Sequence, residues 1–253
     1  MVKEAFDALS VKDDIVAWIR DYFGTDPSLK AVIGISGGTD SSVCAALLCE
    51  ALGSERVIGV LLPNGEQHDF DVAERLVGHL NMKYYVVNIS EPVREITALV
   101  SNSCNIPDPD AVDAYHTNTP SRVRMTVLYG ICALVGGRVA NTCNLSEDYV
   151  GYSTKFGDAA GDFSILSSVT KTEVKQIGNA LGLPREFVEK IPEDGMSGKS
   201  DEERLGFTYE VLDRYIRTGE IDDSGIKEKI DRMHRANLHK LLPMPAYGKQ
   251  EQR

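Results

Sequence analysis

The chain of 253 residues lacks several things. No stretch approaches the roughly 18 consecutive apolar residues that a membrane-spanning helix needs. The opening MVKEAFDALS has no apolar core of the kind a secretory leader carries. Positive charge is in short supply: 27 Lys and Arg stand against 38 Asp and Glu, a net charge of −11. That balance excludes bulk binding to nucleic acid, whose phosphates need a basic surface, while leaving room for a local basic pocket. The five cysteines form no Cys-x-x-Cys pair and their number is odd. Cys44 and Cys132 fall in apolar helical stretches and read as buried thiols, so a reducing, cytoplasmic compartment is expected. There is one Trp, and neither internal repeats nor low-complexity tracts occur. Two common nucleotide signatures are also missing. No Lys precedes Ser or Thr after a long glycine loop, and no glycine spacing matches the dinucleotide fingerprint.

What is present is an ordinary globular composition, 42% hydrophobic and 26% charged, organised around Ala31 to Leu48, AVIGISGGTDSSVCAALL. Ala31, Val32, Ile33 and Ile35 make a short apolar run suited to a central strand. Gly34, Gly37 and Gly38 bracket Ser36, so the backbone can turn tightly and approach a ligand closely. Thr39, Asp40, Ser41 and Ser42 sit where a helix begins, and Val43 to Leu48 continue it. A helix start offers free N–H groups and the positive end of a dipole, an anion site. A carboxylate at Asp40 repels phosphate unless a cation lies between them, so the loop points to phosphate with a hard divalent metal such as magnesium. The plainer reading is a Gly/Ser turn with no ligand.

Around this centre, strand and helix signals alternate. Ser10 to Phe23 reads as a helix capped by Ser10, with Ile15, Trp18, Ile19 and Tyr22 on its apolar face and Trp18 in the core. Strands are expected at Arg56 to Leu62, Tyr84 to Ile89 and Arg138 to Thr142, and helices at Asp69 to Leu80 and Glu91 to Val100. Ser101 to Asn118 reads as a surface excursion, after which Pro120 opens a helix running to Leu134. Asn144 to Gly161 reads as a functional loop, Thr170 to Leu181 as a helix capped by Thr170, and Pro184 to Lys190 as a short helix. Ile191 to Gly206 reads as a second loop, followed by helices at Tyr209 to Arg217 and Gly225 to Leu238 and an irregular tail. This βα alternation predicts one α/β domain over residues 1–253. Its doubly wound, mostly parallel sheet would carry helices on both faces and place the ligand at the carboxyl ends of the strands.

The string Ser36-Gly37-Gly38-Thr39-Asp40-Ser41 resembles the pyrophosphate loop of the ATP pyrophosphatase superfamily, whose fold is adenine nucleotide alpha hydrolase-like. Further strings follow in order: Ser121-Arg122-Val123-Arg124-Met125, Thr154-Lys155-Phe156-Gly157-Asp158, Thr170-Lys171, Asp201-Glu202-Glu203 with Tyr209, and His239-Lys240. This ordered set is similar to the ammonia-dependent NAD synthetases over nearly the whole chain. The resemblance implies a ligase that joins ammonia to the nicotinate carboxylate of deamido-NAD through an acyl adenylate, releasing AMP and pyrophosphate. It implies magnesium, ATP as co-substrate and a homodimer with its deamido-NAD site at a subunit contact, with Val123, Val127, Leu128, Ile131 and Leu134 as candidate interface or core. No part of the chain matches a glutamine amidase, so free ammonia is the expected donor.

Carried across by position, Gly34, Ile35, Ser36, Gly37, Gly38, Thr39, Asp40, Ser41, Thr142, Lys171 and Glu193 would bind ATP. Asp40 and Glu147 would hold metal, and Asp40 and Lys171 would be the catalytic pair. Arg122, Lys155, Asp162, His239 and Lys240 would bind deamido-NAD. Each has a duller reading: Glu147 as a solvated loop acid, Lys155 as a surface Lys, His239-Lys240 as cations at a helix end. Lys171 is odd as a mere surface residue, since a cation in a first helical turn opposes the dipole. Arg122 and Arg124 point to different helix faces, so one at most reaches a substrate. The sequence departs from the family pattern at Leu62, at Cys143-Asn144 and at Glu193. Two rivals stand beside this reading: another adenylating enzyme of the superfamily, and a non-catalytic ATP sensor.

Overall fold

The computed structural model describes residues 6–66, 70–104, 109–189 and 200–248. Five strands, β1 (Lys30–Gly34), β2 (Val57–Leu61), β3 (Lys83–Val86), β4 (Gly137–Asn141) and β5 (Phe163–Ser164), form one sheet in the order β3-β2-β1-β4-β5. Every neighbouring pair is parallel. The helices are α1 (Ala8–Phe23), α2 (Thr39–Leu52), α3 (Phe70–His79), α4 (Ser90–Ser103), α5 (Pro109–Val135), α6 (Leu145–Val150), α7 (Lys171–Ala180), α8 (Arg185–Val188), α9 (Asp201–Leu205), α10 (Tyr209–Thr218) and α11 (Ser224–Leu241).

The alternation of side chains along each strand decides which helices cover which face. Ala31 and Ile33 of β1, with Val57 and Leu61 of β2, pack with α1, α2, α3, α7 and α8. Val32, Ile58 and Val60 point the other way, to α4 and to Val123, Met125, Leu128 and Cys132 of α5. The expected doubly wound parallel sheet with helices on both faces is therefore observed. A third, smaller cluster joins α6, α9, α10 and α11 through Val150, Leu205, Leu212 and Ile230. Among the described residues no helix is long and apolar enough to cross a membrane.

Several elements differ from expectation. α1 begins two residues before Ser10, because Asp7 is the cap: its carboxylate accepts from the amides of Leu9 at 3.1 Å and Ser10 at 3.2 Å. The buried stripe of α1 is Val16, Ile19 and Phe23, while Trp18 and Tyr22 are 45% and 40% exposed. These two rings stack 5.6 Å apart and lean on Phe163, covering the two-residue edge strand β5, which pattern reading missed. Much of 101–118 is helical: α4 runs to Ser103 and α5 starts at Pro109, so Pro120 lies inside a 27-residue helix instead of opening it. Within the expected loop from 144 to 161, Asn144 and Glu147 close a reciprocal capping box that nucleates α6. The 201–205 stretch is helical as α9, and α11 runs through His239 and Lys240. Asp69, and residues 190–199 of the expected short helix and second loop, lie outside the described residues.

Replacing Asp7 with Ala should lower stability by about 1 kcal/mol, the usual worth of an N-cap side chain. Ser10→Ala should be near neutral. Urea denaturation of the two variants checks the assignment.

Candidate active site

The strand order places the topological switch between β1 and β4, whose connections leave in opposite directions and open a crevice at their carboxyl ends. The loop after β1 leads into α2, and the loop after β4 leads into α6. Gly37 has φ +78°, which only glycine adopts freely, and this residue lets the loop fold back over the end of β1. Ser36 Oγ accepts from the amide of Gly38 at 3.2 Å and lies 3.1 Å from Ser41 Oγ. Gly38 caps α2 without a side chain, so the first amides of a 14-residue helix face the crevice with no protein side chain capping them. Thr39 ties this turn down by donating to the carbonyl of Val188 at 3.1 Å.

Asp40, Glu147 and Lys171 come from α2, α6 and α7 and meet in one cluster. The Lys171 ammonium pairs with the Asp40 carboxylate and lies 3.2 Å from Glu147. Its side chain is only 4% exposed, against 16% for Asp40 and 15% for Glu147. Asn144 donates to the second oxygen of Asp40 at 2.9 Å while its own carbonyl oxygen caps α6. The Cys143-Asn144 departure thus gives Asp40 an amide partner. The ring of Tyr209 lies 5.4 Å from the Lys171 ammonium. Burial, reinforced by the charge of Asp40 and opposed by Lys171, raises the Glu147 carboxyl from 4.5 to about 8. Burial works against the charge on Lys171, yet the two carboxylates outweigh it and hold the ammonium well above its ordinary value.

Asp40, Glu147 and Lys171 line a cavity of about 600 Å³. Of the positions expected to bind ATP, Gly34, Ile35, Ser36, Gly38, Thr39, Asp40, Ser41, Thr142 and Lys171 all face it, with Glu147 beside them. Glu193 lies outside the described residues. The apolar end of the cavity is walled by Leu62, Pro63, Phe70 and Ala73, and the other end by Asn118, Ser121, Thr154 and Asp158. Among the described residues, Ser153 Oγ is buried with no hydrogen-bond partner, and Ser153 lines this same space. A planar apolar group at one end, an anion at the uncapped helix start and a polar molecule at the far end are what such a cavity accommodates.

The residues expected to bind the second substrate are placed differently. Lys155 donates to the carbonyl of His239 at 2.6 Å, and Arg122 to the carbonyl of Lys155 at 3.2 Å. Lys240 donates to the carbonyls of Gly151 at 2.6 Å and Ser153 at 2.8 Å, both of which line the cavity. Four of the five therefore gather on the 151–157 segment at the rim. Asp162 stands apart: its carboxylate accepts from the amide of Val139 at 2.7 Å and the hydroxyl of Tyr129 at 3.4 Å, which commits it to β4. Of the two arginines on α5, Arg122 is exposed and Arg124 faces the cavity, donating to the carbonyl of Leu62 at 3.1 Å. Burial lowers the pKa of Arg124, which favours an anionic ligand there. Sequence reasoning assigned no role to Arg124, Asp158 or Asp201, although all three stood in the strings that carried the resemblance.

A parallel sheet with a glycine loop at the carboxyl end of its central strand, and paired acids at the switch point, defines an α/β nucleotide enzyme of the adenine nucleotide alpha hydrolase type. The NAD synthase family model matches residues 11–250, and the chain belongs to that family. It is 36% identical over 230 residues to an NH3-dependent NAD(+) synthetase of Carboxydothermus hydrogenoformans, covering 90% of this chain and 93% of that one. Among solved structures it superimposes on an NMN synthetase of Francisella tularensis with TM-score 0.87 at 29% identity, covering 97% of this chain and all of that one. An NH3-dependent NAD synthetase of Campylobacter jejuni gives TM-score 0.75 at 26% identity, with the same coverage.

A native-state pKa of about 8 for Glu147, against 4.5 ordinarily, means that the folded protein binds more protons than the unfolded chain between those values. Stability of the ligand-free protein should therefore fall as pH rises from 4.5 to about 8. Glu147→Gln should flatten that slope. Asp148, raised to about 6 by burial, adds the same sign over the lower part of the range and should leave a residual slope in the variant. Melting temperature against pH for the two proteins measures this.

Proposed function

We propose that this chain amidates deamido-NAD with free ammonia, splitting ATP to AMP and pyrophosphate. The observation that carries the reading is the meeting of Asp40, Glu147 and Lys171 beside the uncapped start of α2, in a chain that matches its ammonia-dependent relatives over nearly their full length. A carboxylate is a poor acceptor for an amine until one oxygen becomes a leaving group. The nicotinate oxygen attacks the α-phosphorus, the bond to pyrophosphate breaks, and an acyl adenylate results. Ammonia then attacks the carbonyl carbon, gives up a proton, and AMP departs. The amides of Thr39 to Ser41 and the Lys171 ammonium are placed to offset charge building on the phosphates.

The donor set also fits magnesium. Two half-buried carboxyl groups converge on one positive charge, and their oxygens are the hard ligands such an ion takes. Asp40 and Glu147 would hold it, and when bound it would neutralise phosphate charge and orient the departing pyrophosphate. Five free cysteines support a reducing, cytoplasmic setting. The packing of α7 against α1, α2, α6, α8 and α10 supports reading residues 1–253 as one synthetase domain.

A homodimer is part of the same proposal. The stripe on α5 divides: Val123 and Leu128 are core, while Leu134 is 88% exposed. Leu99 and Ile96 of α4, which packs against α5, are also exposed, and α4 buries none of its 14 residues. An apolar face of this extent is what a second copy would cover. The protein should run as a dimer in light scattering, and Leu99→Glu with Leu134→Glu should yield monomers of low activity. A stable monomer with full activity would overturn the dimer.

The likeness to the Francisella NMN synthetase favours a second reading, in which the acid is the mononucleotide counterpart of deamido-NAD. AMP release measured with each acid, ATP, magnesium and ammonium separates the two by kcat/KM. Deamido-NAD is expected to be preferred, and preference for the mononucleotide would install the second reading. AMP release with neither would return the rivals, a superfamily enzyme of other specificity or a sensor. Asp40→Asn should lower turnover about 100-fold or more while the far-UV spectrum is unchanged.

A further inference from the structure

Behind the ion cluster lies a carboxylate that no step of the chemistry uses. Asp213, in the middle of α10, is 4% exposed. One of its oxygens accepts from the hydroxyl of Ser146, and the other accepts from the amide of Thr172 at 2.8 Å. Ser146 Oγ in turn accepts from the amide of Lys171 at 2.9 Å. A single side chain thus grips the start of α7 directly and through α6. Its contacts fall on Lys171's neighbour Thr172 and on Glu147's neighbour Ser146, whose hydroxyl in turn holds the Lys171 amide. One turn further along α10, Arg217 pairs with Glu173, the reciprocal member of the Thr170 capping box. Both contacts hold the first turn of α7 from α10.

We propose that Asp213 is a positioning residue for the reaction, setting the separation of Lys171 and Glu147 around Asp40. The physical case is that of a clamp. Lys171 and Glu147 sit on different helices, and α6 is only six residues long. An isolated helix that short has little rigidity of its own. The carboxylate of Asp213 supplies a shared anchor, and an anion at the start of α7 is favoured by the helix dipole. Loss of the anchor lets the two helix starts drift apart, and displacement of a catalytic charge by about 1 Å costs up to about 100-fold in rate. The proposal rests on the assignment of Lys171 and Glu147 to the ATP side of the site.

The test is a double-mutant cycle on the full chain, followed by AMP release with deamido-NAD, ATP, magnesium and ammonium. Asp213→Ala should lower kcat by about 10- to 100-fold with a KM for ATP changed less than about threefold. Ser146→Ala, which removes only the bridging hydroxyl and keeps the fold if Asp213→Ala does not, should lower kcat in the same direction. Because the two act on one anchor, the pair should lose little more than Asp213→Ala alone. In a Lys171→Met background, Asp213→Ala should cost clearly less than it does in the wild type, because only its hold on Glu147 through Ser146 remains to be lost. Multiplying losses in either background, or unchanged kcat in Ser146→Ala, would overturn the proposal, since a general packing role would compound with any other lesion. Wild-type turnover tells the two failures apart. Without it, the substrate reading falls and this proposal with it; with it, multiplying losses remove this proposal alone.

Discussion

Everything at the carboxyl end of the sheet depends on keeping one ammonium, that of Lys171, against the Asp40 carboxylate and beside the Glu147 carboxyl with almost no water around it. Buried charges lose hydration worth several kcal/mol each, and their attraction offsets that loss only when geometry is held closely. The held geometry is visible in every element that touches the cluster. Asn144 bonds Asp40 and caps α6 with the same side chain, and Glu147 closes the capping box that starts its own helix. Tyr209 lays a ring near the ammonium, and Asp213 and Arg217 secure α7 from behind.

The parallel sheet solves the problem of assembly. Asp40 and Glu147 are more than 100 positions apart, yet the reversal of strand order between β1 and β4 puts the loops that carry them side by side. The residues between them build one wall of the cavity on the way, Leu62 just after β2 and then Arg124 and Leu128 on α5, while residues 151–158 after Glu147 close the polar end. The apolar end and the charged end are consequences of one winding. β1, β2 and β4 contribute residues near their carboxyl ends to the crevice and residues further back to the core.

The glycine loop and the parallel sheet were legible in the sequence, because each rests on local chemistry or on a pattern that spans many residues, whereas Glu147 and Lys171 were joined to Asp40 only through the family resemblance. What was not legible rests on contacts with distant chain. Asp7 outcompetes Ser10 as cap because both are capping residues and only the position of α1 against the sheet decides. Trp18 is exposed since it covers β5, a strand too short to leave a pattern. Helical spacing allowed one of Arg122 and Arg124 into the cavity, but choosing between them required the tilt of α5. Asn144 looked like a departure from a familiar motif, and its role appears only when Asp40 is brought opposite it.

The proline within α5 carries a consequence for how the cavity wall is held. Pro120 has no amide hydrogen to offer the carbonyl of His116, so the ladder of bonds along this helix is interrupted there. The portion after the break is rooted in the sheet through Val123, Met125 and Leu128, while the portion before it carries Thr117 and Asn118 to the polar end of the cavity. Side chains take over where the ladder lapses: the Thr119 hydroxyl donates to the carbonyl of Tyr115 at 2.8 Å, and Thr154 donates to Asn118 at 2.8 Å. The polar end of the wall is thereby fastened to the 151–158 segment, and the floor beneath the glycine loop to the sheet.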